Sequence, residues 1–528
     1  MRIKERTAQW EKRQTDTLFY LALFVLAILI FVFVGSREPV LFDDSSSYTK
    51  IERNEGVMPV YPLFLLMNQW IFGSDGYLRI VIIEQALLAA VCILLFVREI
   101  RNRFALQYWE GGLIFFLSLL TYTTEMPQAM MTQTILTEGL AFSLYYLLVI
   151  LFLRAVWRKS YAILAGSFAM VFLLAMLRSQ LQILFGVCGV LFLYLTWHKC
   201  EKGGRKWLGF LDGMAGCVLI GVLGVALTAS SLNRYHSLVI DNRKVNAFIM
   251  RVQEPEYYQS FSVDEEGANR EQKEIEQAIQ ERIENLFSEK PPLMTSQYTS
   301  LIYSRGMYEA DEADVSLFED DTTRGLFQAL YAATDGEKQR YVYAQKGLWM
   351  WKDIVGGIGS VGKTAFYTGT DYYREYDLQY TEGDFNAFWN RSLQTIGMAL
   401  LKEHFGRFLY HTLMMLPQAF ICTVFFQIKP IYLLCHLVTL FLYLSALALM
   451  IWGYADRKAE NQCAEFMALV LGSNLVMIVI ISMVFFGQQR YLVYNFGIFY
   501  IAYYVLLREL WNCRLRDTRL GQWFRRGE

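Results

Sequence analysis

Two adjacent carboxylates, Asp43 and Asp44, closely follow a long apolar run that ends near Gly35. A carboxylate held at a membrane surface can act as a general base, and a second one can orient it. Paired carboxylates can also bind a divalent cation, because hard cations prefer oxygen ligands. The simpler interpretation is a solvated loop that begins with two acids. Taken alone, the pair favours that simpler interpretation. Only the other features of the chain favour a functional role for the two acids.

The apolar run before this pair, residues 17–35, is long enough to cross a bilayer as a helix, which takes about 20 apolar residues. No small-residue cleavage site follows it, which predicts a retained anchor rather than a cleaved signal. The segment before the run is basic and carries Arg2, Lys4, Arg6, Lys12 and Arg13. Because basic flanks stay in the cytoplasm, Asp43 and Asp44 are predicted to emerge at the outer face.

The composition of the chain predicts a membrane protein. Apolar residues make up 55% of its 528 residues and charged residues only 19%. Apolar runs of membrane-spanning length recur, which predicts an all-α polytopic membrane protein with about 10–11 transmembrane helices. The eight cysteines fall in or beside these runs, so neither a disulfide framework nor a zinc site is predicted.

Basic clusters orient the predicted crossings. The predicted full crossings are residues 17–35, 77–97, 109–122, 135–155, 162–177, 181–197, 208–227, 430–454, 464–486 and 491–507. Among the first seven, every even-numbered crossing ends in basic residues, as the positive-inside rule requires. Residues 408–426 contain Pro417 and are predicted to lie along, or only dip into, the outer interface. With ten full crossings, both termini are predicted to be cytoplasmic in a protein of the cell membrane. The basic tail that follows residue 507 is then also cytoplasmic.

The chain divides into three predicted parts. Residues 1–230 form a transmembrane module whose first outer loop, 36–76, is the predicted catalytic loop. Residues 231–403 form a mostly helical extracytoplasmic loop domain, and residues 404–528 form a second transmembrane module. Between residues 231 and 391 there are 27 acidic against 17 basic residues, and the remainder has 23 against 32. No basic stripe exists outside the predicted cytoplasmic loops, which argues against nucleic acid as a partner.

Several polar residues are predicted to meet at the outer face, and charged residues at membrane depth usually face a cavity or a partner. For Glu84 and Glu125 an interfacial side chain that reaches water is the favoured interpretation. For Asp43, Glu138 and Arg178 the structural and functional interpretations carry equal weight. The acids could activate a hydroxyl group or bind a metal, and arginines could hold a phosphate bidentately. A lipid-linked sugar would fit such a site.

Several segments resemble the C-superfamily (GT-C) of membrane glycosyltransferases, in particular the bacterial protein-mannosyltransferase-like and aminoarabinose-transferase-like enzymes. The similar segments are Phe42-Asp43-Asp44-Ser45-Ser46-Ser47-Tyr48, Gly56 to Phe64 with Tyr61, Arg79 with Glu84-Gln85-Ala86, Ile135-Leu136-Thr137-Glu138, Leu177-Arg178-Ser179-Gln180 and Gln489-Arg490-Tyr491-Leu492. The resemblance covers about the first 200 residues and the last 40. Two positions depart from the pattern, because Ser179 and Asn495 stand where proline is expected.

This resemblance implies transfer of a sugar from a polyprenyl-phosphate donor to an acceptor at the outer face. Asp43 or Asp44 would be the catalytic base, and Arg178 and Arg490 would bind the donor phosphate. The other predicted substrate-binding residues are Tyr48, Tyr61, Gln85, Glu138 and Tyr491. A divalent cation at Asp43 and Asp44 is possible under this resemblance but is not required by the sequence. The implied partners are the lipid-linked donor and membrane lipids.

Two other functions stay open at this point. A polymerase or ligase of lipid-linked glycans would depend on arginines of the large loop, such as Arg305 or Arg324. A lipid or glycan transporter is disfavoured because no internal repeat is evident and the polar residues gather at one face. Residues 357–364 fit the P-loop pattern, but no clear strand precedes them and they fall on the outer side. They are predicted to form a flexible glycine-rich turn instead.

Overall fold

The described part of the chain is an all-α polytopic membrane protein, as predicted. The computed structural model describes residues 2–34, 38–42, 45–49, 57–123, 129–201, 206–240, 242–253, 277, 297–344, 350–375, 384–425, 431–455, 461–484 and 489–513. Within these ranges β-structure is limited to two isolated bridges, Val40 with Thr134 and Thr123 with Met130.

Two groups of helices flank the large loop domain. The first group consists of α1 Arg2–Phe33, α2 Ser45–Thr49, α3 Val60–Phe72, α4 Tyr77–Arg103, α5 Tyr108–Leu119, α6 Glu138–Arg158, α7 Tyr161–Leu177, α8 Leu184–Glu201 and α9 Lys206–Tyr235. The loop domain contains α10 Arg243–Gln253, α11 Gln297–Glu309, α12 Asp321–Ala344, α13 Met350–Glu375 and α14 Asp384–Glu403. The second group consists of α15 Phe405–Val424, α16 Tyr432–Ala455, α17 Asn461–Val484, α18 Gln489–Leu492 and α19 Phe496–Cys513.

Seven of the described helices are long and apolar enough to span a bilayer: α1, α4, α6, α8, α9, α16 and α17. Helix α7 is apolar but has only 17 residues. Helices α5 and α19, which belong to predicted crossings, do not meet the same criterion. The ten full crossings therefore stay a prediction, while the multi-pass architecture is confirmed.

Ion pairs gather where α4 and α6 end, and we call this side of the helices the basic face. The Arg101 guanidinium donates to Asp16 of α1 over 2.9 Å, and the Arg154 guanidinium lies 2.5 Å from Glu99. Residue Lys159 ends α6 in the left-handed region with φ 50°, and Ser160 caps α7 by accepting from the amide of Ile163. The positive-inside rule predicts that this face is cytoplasmic.

The first outer loop contains an apolar helix, α3, that was not predicted from the sequence. It packs against α4 and buries Tyr61, Leu65 and Asn68. With 13 residues it is too short to span the hydrocarbon core, so its apolar composition gave no crossing signal. The buried Asn68 amide donates to Glu84 of α4 over 2.9 Å, which fixes the two helices beside each other.

The loop domain has a hydrophobic core of its own. Residues of α11, α12, α13 and α14 contribute to it, including Tyr303, Leu330, Ile358 and Leu400. The P-loop-like residues 357–364 lie inside the continuous helix α13, so the predicted glycine-rich turn is wrong. Small residues serve helix packing here, because a Cβ on Gly362 would meet Ser304 of α11 at 2.9 Å.

A second close approach in this domain gives a direct test of its packing. A Cβ on Gly306 would lie 3.0 Å from the Cα of Gly397 in α14. Gly306→Ala should therefore lower the free energy of unfolding by about 1–3 kcal/mol, the usual effect of overpacking. The control Gly336→Ala lies in α12, where a Cβ meets nothing within 4 Å. It should be neutral or stabilise by about 0.5–1 kcal/mol. Equal thermal unfolding midpoints for the two variants would contradict this packing.

Helix α15 joins the loop domain to the membrane helices, in the region predicted to be a partial crossing. Its first half contacts the loop domain, where His411 pairs with Glu309 at 2.9 Å and Arg407 pairs with Asp311. The Arg407 guanidinium lowers the pKa of the Asp311 carboxyl group below its usual range. The second half of α15 packs into the membrane core through Ala419 and Cys422. This division explains the mixed polar and apolar composition of residues 408–426.

Candidate functional site

The candidate site lies at the side of the membrane opposite the basic face, where α6 begins and α7 ends; we call this the site face. Glu138 is the first residue of α6, and Arg178 follows the last residue of α7. Arg490 and Tyr491 belong to the short helix α18. The site thus combines three segments that are far apart in the sequence.

One carboxylate oxygen lies between two guanidinium groups. Glu138 Oε1 is 2.5 Å from Nη1 of Arg178 and 3.3 Å from Nε of Arg490. The Glu138 side chain is fully buried and that of Arg178 is 9% exposed, whereas 31% of the Arg490 side chain is exposed. The hydroxyl of Thr137 donates to the other carboxylate oxygen over 3.0 Å. Glu138 is thus a buried ionic partner, which rules out the interpretation that it is an interfacial residue reaching water.

The ring of Tyr491 packs against both guanidinium groups. Its centroid lies 5.1 Å from Cζ of Arg178 and 5.3 Å from Cζ of Arg490, within cation–π range. The neighbouring Tyr494 is buried and packs against Phe142 of α6 at 4.9 Å between ring centroids. These aromatic contacts hold the segment of Arg490 against the start of α6.

A second group of predicted residues lies beside Glu138. The ring of Tyr48 packs edge-on against Tyr61 at 5.4 Å, and the Tyr61 hydroxyl donates to Oε1 of Gln85 over 3.2 Å. The Gln85 amide then donates to the backbone carbonyls of Thr132 and Thr134 over 3.0 and 3.1 Å. The structure therefore brings together the seven described residues that were predicted to bind substrate.

The two groups meet at Gly139, the second residue of α6. A Cβ at this position would lie 2.3 Å from Oε1 of Gln85. Gly139→Ala should displace Gln85 from its carbonyl partners and lower the free energy of unfolding by about 1–3 kcal/mol. The control Gly186→Ala in α8 has nothing within 4 Å of its Cβ, so it should not destabilise the protein. A Gly139→Ala variant that melts with the wild type in thermal unfolding would contradict this arrangement.

The predicted catalytic acids, Asp43 and Asp44, lie outside the described residues. The chain on both sides of them is anchored near Glu138. The Ile135 amide donates to the carbonyl of Val40 over 3.0 Å, and the hydroxyl of Ser45 donates to the carbonyl of Ile135 over 2.9 Å. The divalent cation that the resemblance allows at Asp43 and Asp44, without requiring it, falls on the same two residues. Elsewhere in the described residues, no group of three or more His, Cys, Asp and Glu side chains is arranged to hold a metal.

A buried hydrogen-bond network below the site was not predicted from the sequence. The Tyr145 hydroxyl donates to Oδ1 of Asn495, whose Nδ2 donates to Ser473 and Asn474, with distances of 2.8–2.9 Å. Asn474 continues the network to Tyr443 over 2.9 Å. The sequence signal for this network was the presence of polar side chains inside apolar runs. Their pairing could not be predicted, because the partners come from separate helices, α6, α16 and α17. The network fixes the segment that carries Arg490, and Asn495 makes three of its hydrogen bonds.

The loop arginines named for a polymerase or ligase make contacts of a structural kind. The Arg305 side chain is buried, donates to the carbonyl of Phe408 and to Thr412, and packs over the Phe408 ring. The Arg324 guanidinium pairs with Asp321 and donates to backbone carbonyls. Neither arginine joins the site, so no described contact favours that alternative.

Two guanidinium groups share one carboxylate among the described residues of the site, so Arg178, Arg490 and Glu138 together carry a net charge of +1, a sum that does not include Asp43 and Asp44. In a buried setting of low dielectric constant, such an arrangement favours a further anion. Guanidinium groups match the geometry of phosphate oxygens, and adjacent aromatic rings suit a ligand with a sugar or an apolar part. The site can therefore bind a phosphate at the membrane surface.

Fold and site together define an integral membrane protein with a cluster of two guanidinium groups around one buried carboxylate at the site face. No protein-family model, no curated protein and no solved structure matches the chain. The assignment of a function therefore depends on the residues of the site and on the chemistry they support.

Proposed function

We propose that this protein is an integral-membrane glycosyltransferase that moves a sugar from a polyprenyl-phosphate donor to an acceptor at the site face. The site face would be the outer face of a cell membrane, with both termini in the cytoplasm. The observation that carries the proposal is the Glu138 carboxylate shared by Arg178 and Arg490. The two guanidinium groups would bind the phosphate of a membrane-bound lipid on the site face.

The reaction exchanges one bond at the anomeric carbon of the sugar. The bond from this carbon to the donor phosphate breaks, and its electron pair stays on the phosphate. Arg178 and Arg490 stabilise this leaving group, whose negative charge grows in the transition state. The acceptor hydroxyl forms the new bond, and its proton passes to the carboxylate of Asp43 or Asp44. Glu138 holds the two arginines in position and need not exchange a proton.

Substitution of the proposed general base can separate its role in sugar transfer from the binding of polyprenyl phosphate by the arginines. Every donor of this class releases polyprenyl phosphate, so release of that product can be measured without knowing which sugar is transferred. Purified protein in vesicles that contain a mixture of polyprenyl-phosphate sugars should release it when a cell-surface extract supplies the acceptor hydroxyl groups. Asp43→Asn combined with Asp44→Asn should slow release about 10²–10⁴-fold, the usual contribution of a general base. The double variant should still bind polyprenyl phosphate as the wild type does.

An exposed ion pair provides the matched control. Arg79 and Glu38 pair at 2.7 Å with about two thirds of each side chain exposed. Glu38→Gln removes an acid from the same outer loop and should leave the release rate unchanged. If the Asp43 and Asp44 variants keep the full rate, the proposed base is wrong. If the wild type neither binds polyprenyl phosphate nor releases it from any donor, the glycosyltransferase proposal itself fails.

A further inference from the structure

An apolar cavity of about 220 Å³ lies far from the site, between α6, α8, α16 and α17. Its walls include Val156, Leu191, Leu469 and Val476. Val156 is 18 residues after Glu138 in the same helix, which separates this end of the cavity from Glu138 by about 27 Å. This end therefore lies in the half of the membrane next to the basic face. The other end reaches Ser473, which accepts from Asn495 in the network below the site.

Three polar side chains of the cavity, Tyr194, Glu465 and Ser473, have hydrogen-bond partners, and Tyr454 also lines it. The Tyr194 hydroxyl donates to Oε1 of Glu465 over 2.6 Å, and the Ser473 hydroxyl accepts from Asn495. The remaining walls are apolar, and a cavity of that kind stays dry and takes apolar ligands. Val190 and Gly472 line it and are exposed, so the cavity is open at the side that faces lipid. A hydrocarbon chain can enter from the bilayer.

The end of the cavity at the basic face is surrounded by positive charge. Lys159 and Arg103 are exposed and lie near this end. Lys159 follows the lining residue Val156 by three positions, and the Arg103 guanidinium packs over Trp157, the residue after Val156, at 5.1 Å. Two cations around one carboxylate leave a net positive rim, which complements an anionic headgroup. Basic pockets between transmembrane helices on the cytoplasmic side are known to bind anionic lipid headgroups.

We propose that this cavity binds one anionic phospholipid of the adjacent leaflet, with an acyl chain between α8 and α17 and its phosphate beside Lys159 and Arg103. The lipid would occupy a site separate from the donor site, so the proposal does not depend on the glycosyltransferase assignment. An acyl chain in the cavity would also join α17 to α6 and α8. We therefore expect bound lipid to stabilise the membrane helices.

The binding can be measured on the full chain in nanodiscs of phosphatidylcholine with or without phosphatidylglycerol. Native mass spectrometry should show phosphatidylglycerol retained by the wild type, and the thermal unfolding midpoint should rise when this lipid is present. Gly472→Phe fills the cavity without a backbone clash, because a Cβ there meets nothing within 4 Å. It should lose both effects. Gly221→Phe on α9 has equal space, lies outside the cavity and should keep both.

The headgroup contacts need a second pair of variants. Lys159→Asn removes a charge, and asparagine tolerates the left-handed conformation at this position. Combined with Arg103→Gln, it should weaken phosphatidylglycerol binding about fivefold for each charge removed. Arg13→Gln removes an exposed charge from α1 and should have no effect.

Three results would overturn the proposal. The first is equal retention of phosphatidylglycerol by Gly472→Phe and wild type, and the second is equally tight binding of phosphatidylcholine. The third is recovery of polyprenyl phosphate from the cavity in place of a phospholipid, shown by its loss in Gly472→Phe. If Gly472→Phe does not fold, Ala468→Leu provides a milder filling of the same cavity.

Discussion

Glu138→Ala should lower the free energy of unfolding by about 3–5 kcal/mol, the largest stability effect expected of any substitution at the site. The reason is that the Glu138 carboxylate is fully buried and serves two guanidinium groups. Its removal leaves the nearly buried charge of Arg178 without this partner. The measurement is reversible unfolding of the purified protein in mixed micelles, followed by tryptophan fluorescence or circular dichroism.

Glu38→Ala is the matched control for this prediction. It removes the acid of an Arg–Glu pair on the same side of the membrane, but that pair is mostly exposed. Water screens exposed pairs, so the expected loss is about 0–1 kcal/mol. Equal losses for the two variants would show that Glu138 is not the buried ionic centre described above.

Arg490→Gln should weaken binding of polyprenyl phosphate about 10- to 100-fold, because hydrogen bonds to charged groups contribute about 1.5–3 kcal/mol each. Arg490 is the more exposed of the two arginines, so a ligand can reach it. Glu138 keeps Arg178 as its partner at 2.5 Å, and we therefore expect the variant to fold. Titration of polyprenyl phosphate into protein in micelles measures the affinity.

Arg79→Gln, which removes an exposed arginine on the same membrane side, should bind polyprenyl phosphate as the wild type does. The double variant Arg178→Gln with Glu138→Gln removes a buried charge pair together and tests the second arginine. It should unfold less readily than Arg178→Gln alone, in which the buried Glu138 carboxylate would keep only the more distant Arg490 as an ionic partner. If Arg490→Gln binds polyprenyl phosphate with unchanged affinity, Arg490 does not contact the phosphate and its assignment is wrong.

The membrane class could be predicted from the sequence because apolar runs and basic ends are local signals. Polar residues inside those runs, such as Gln85, Glu138 and Arg178, were identified for the same reason. Burial of a charged or amide side chain costs free energy unless it has partners, so such residues mark contacts. The structure supplies those partners at distances of 2.5–3.3 Å.

Which residues pair could not be predicted. Glu138 and Arg490 are more than 350 positions apart, and only the tertiary fold, in which α18 packs against α15 and α17, brings them together. Helix α3 escaped prediction because it is apolar but too short to span a bilayer. The glycines of residues 357–364 predicted a turn, whereas packing against α11 keeps them helical. Tertiary contacts decide in each of these cases, and they override local propensity.

The most direct test of the central claim compares cells that contain this protein with cells that lack it, by mass analysis of lipid-linked sugars and surface polymers. Cells without the protein should accumulate one polyprenyl-phosphate sugar and lack the corresponding sugar on a surface acceptor. Wild-type protein should restore the surface sugar, whereas Arg490→Gln or the combined Asp43→Asn and Asp44→Asn variant should not. Unchanged lipid-linked and surface sugars in cells that lack the protein would contradict the account.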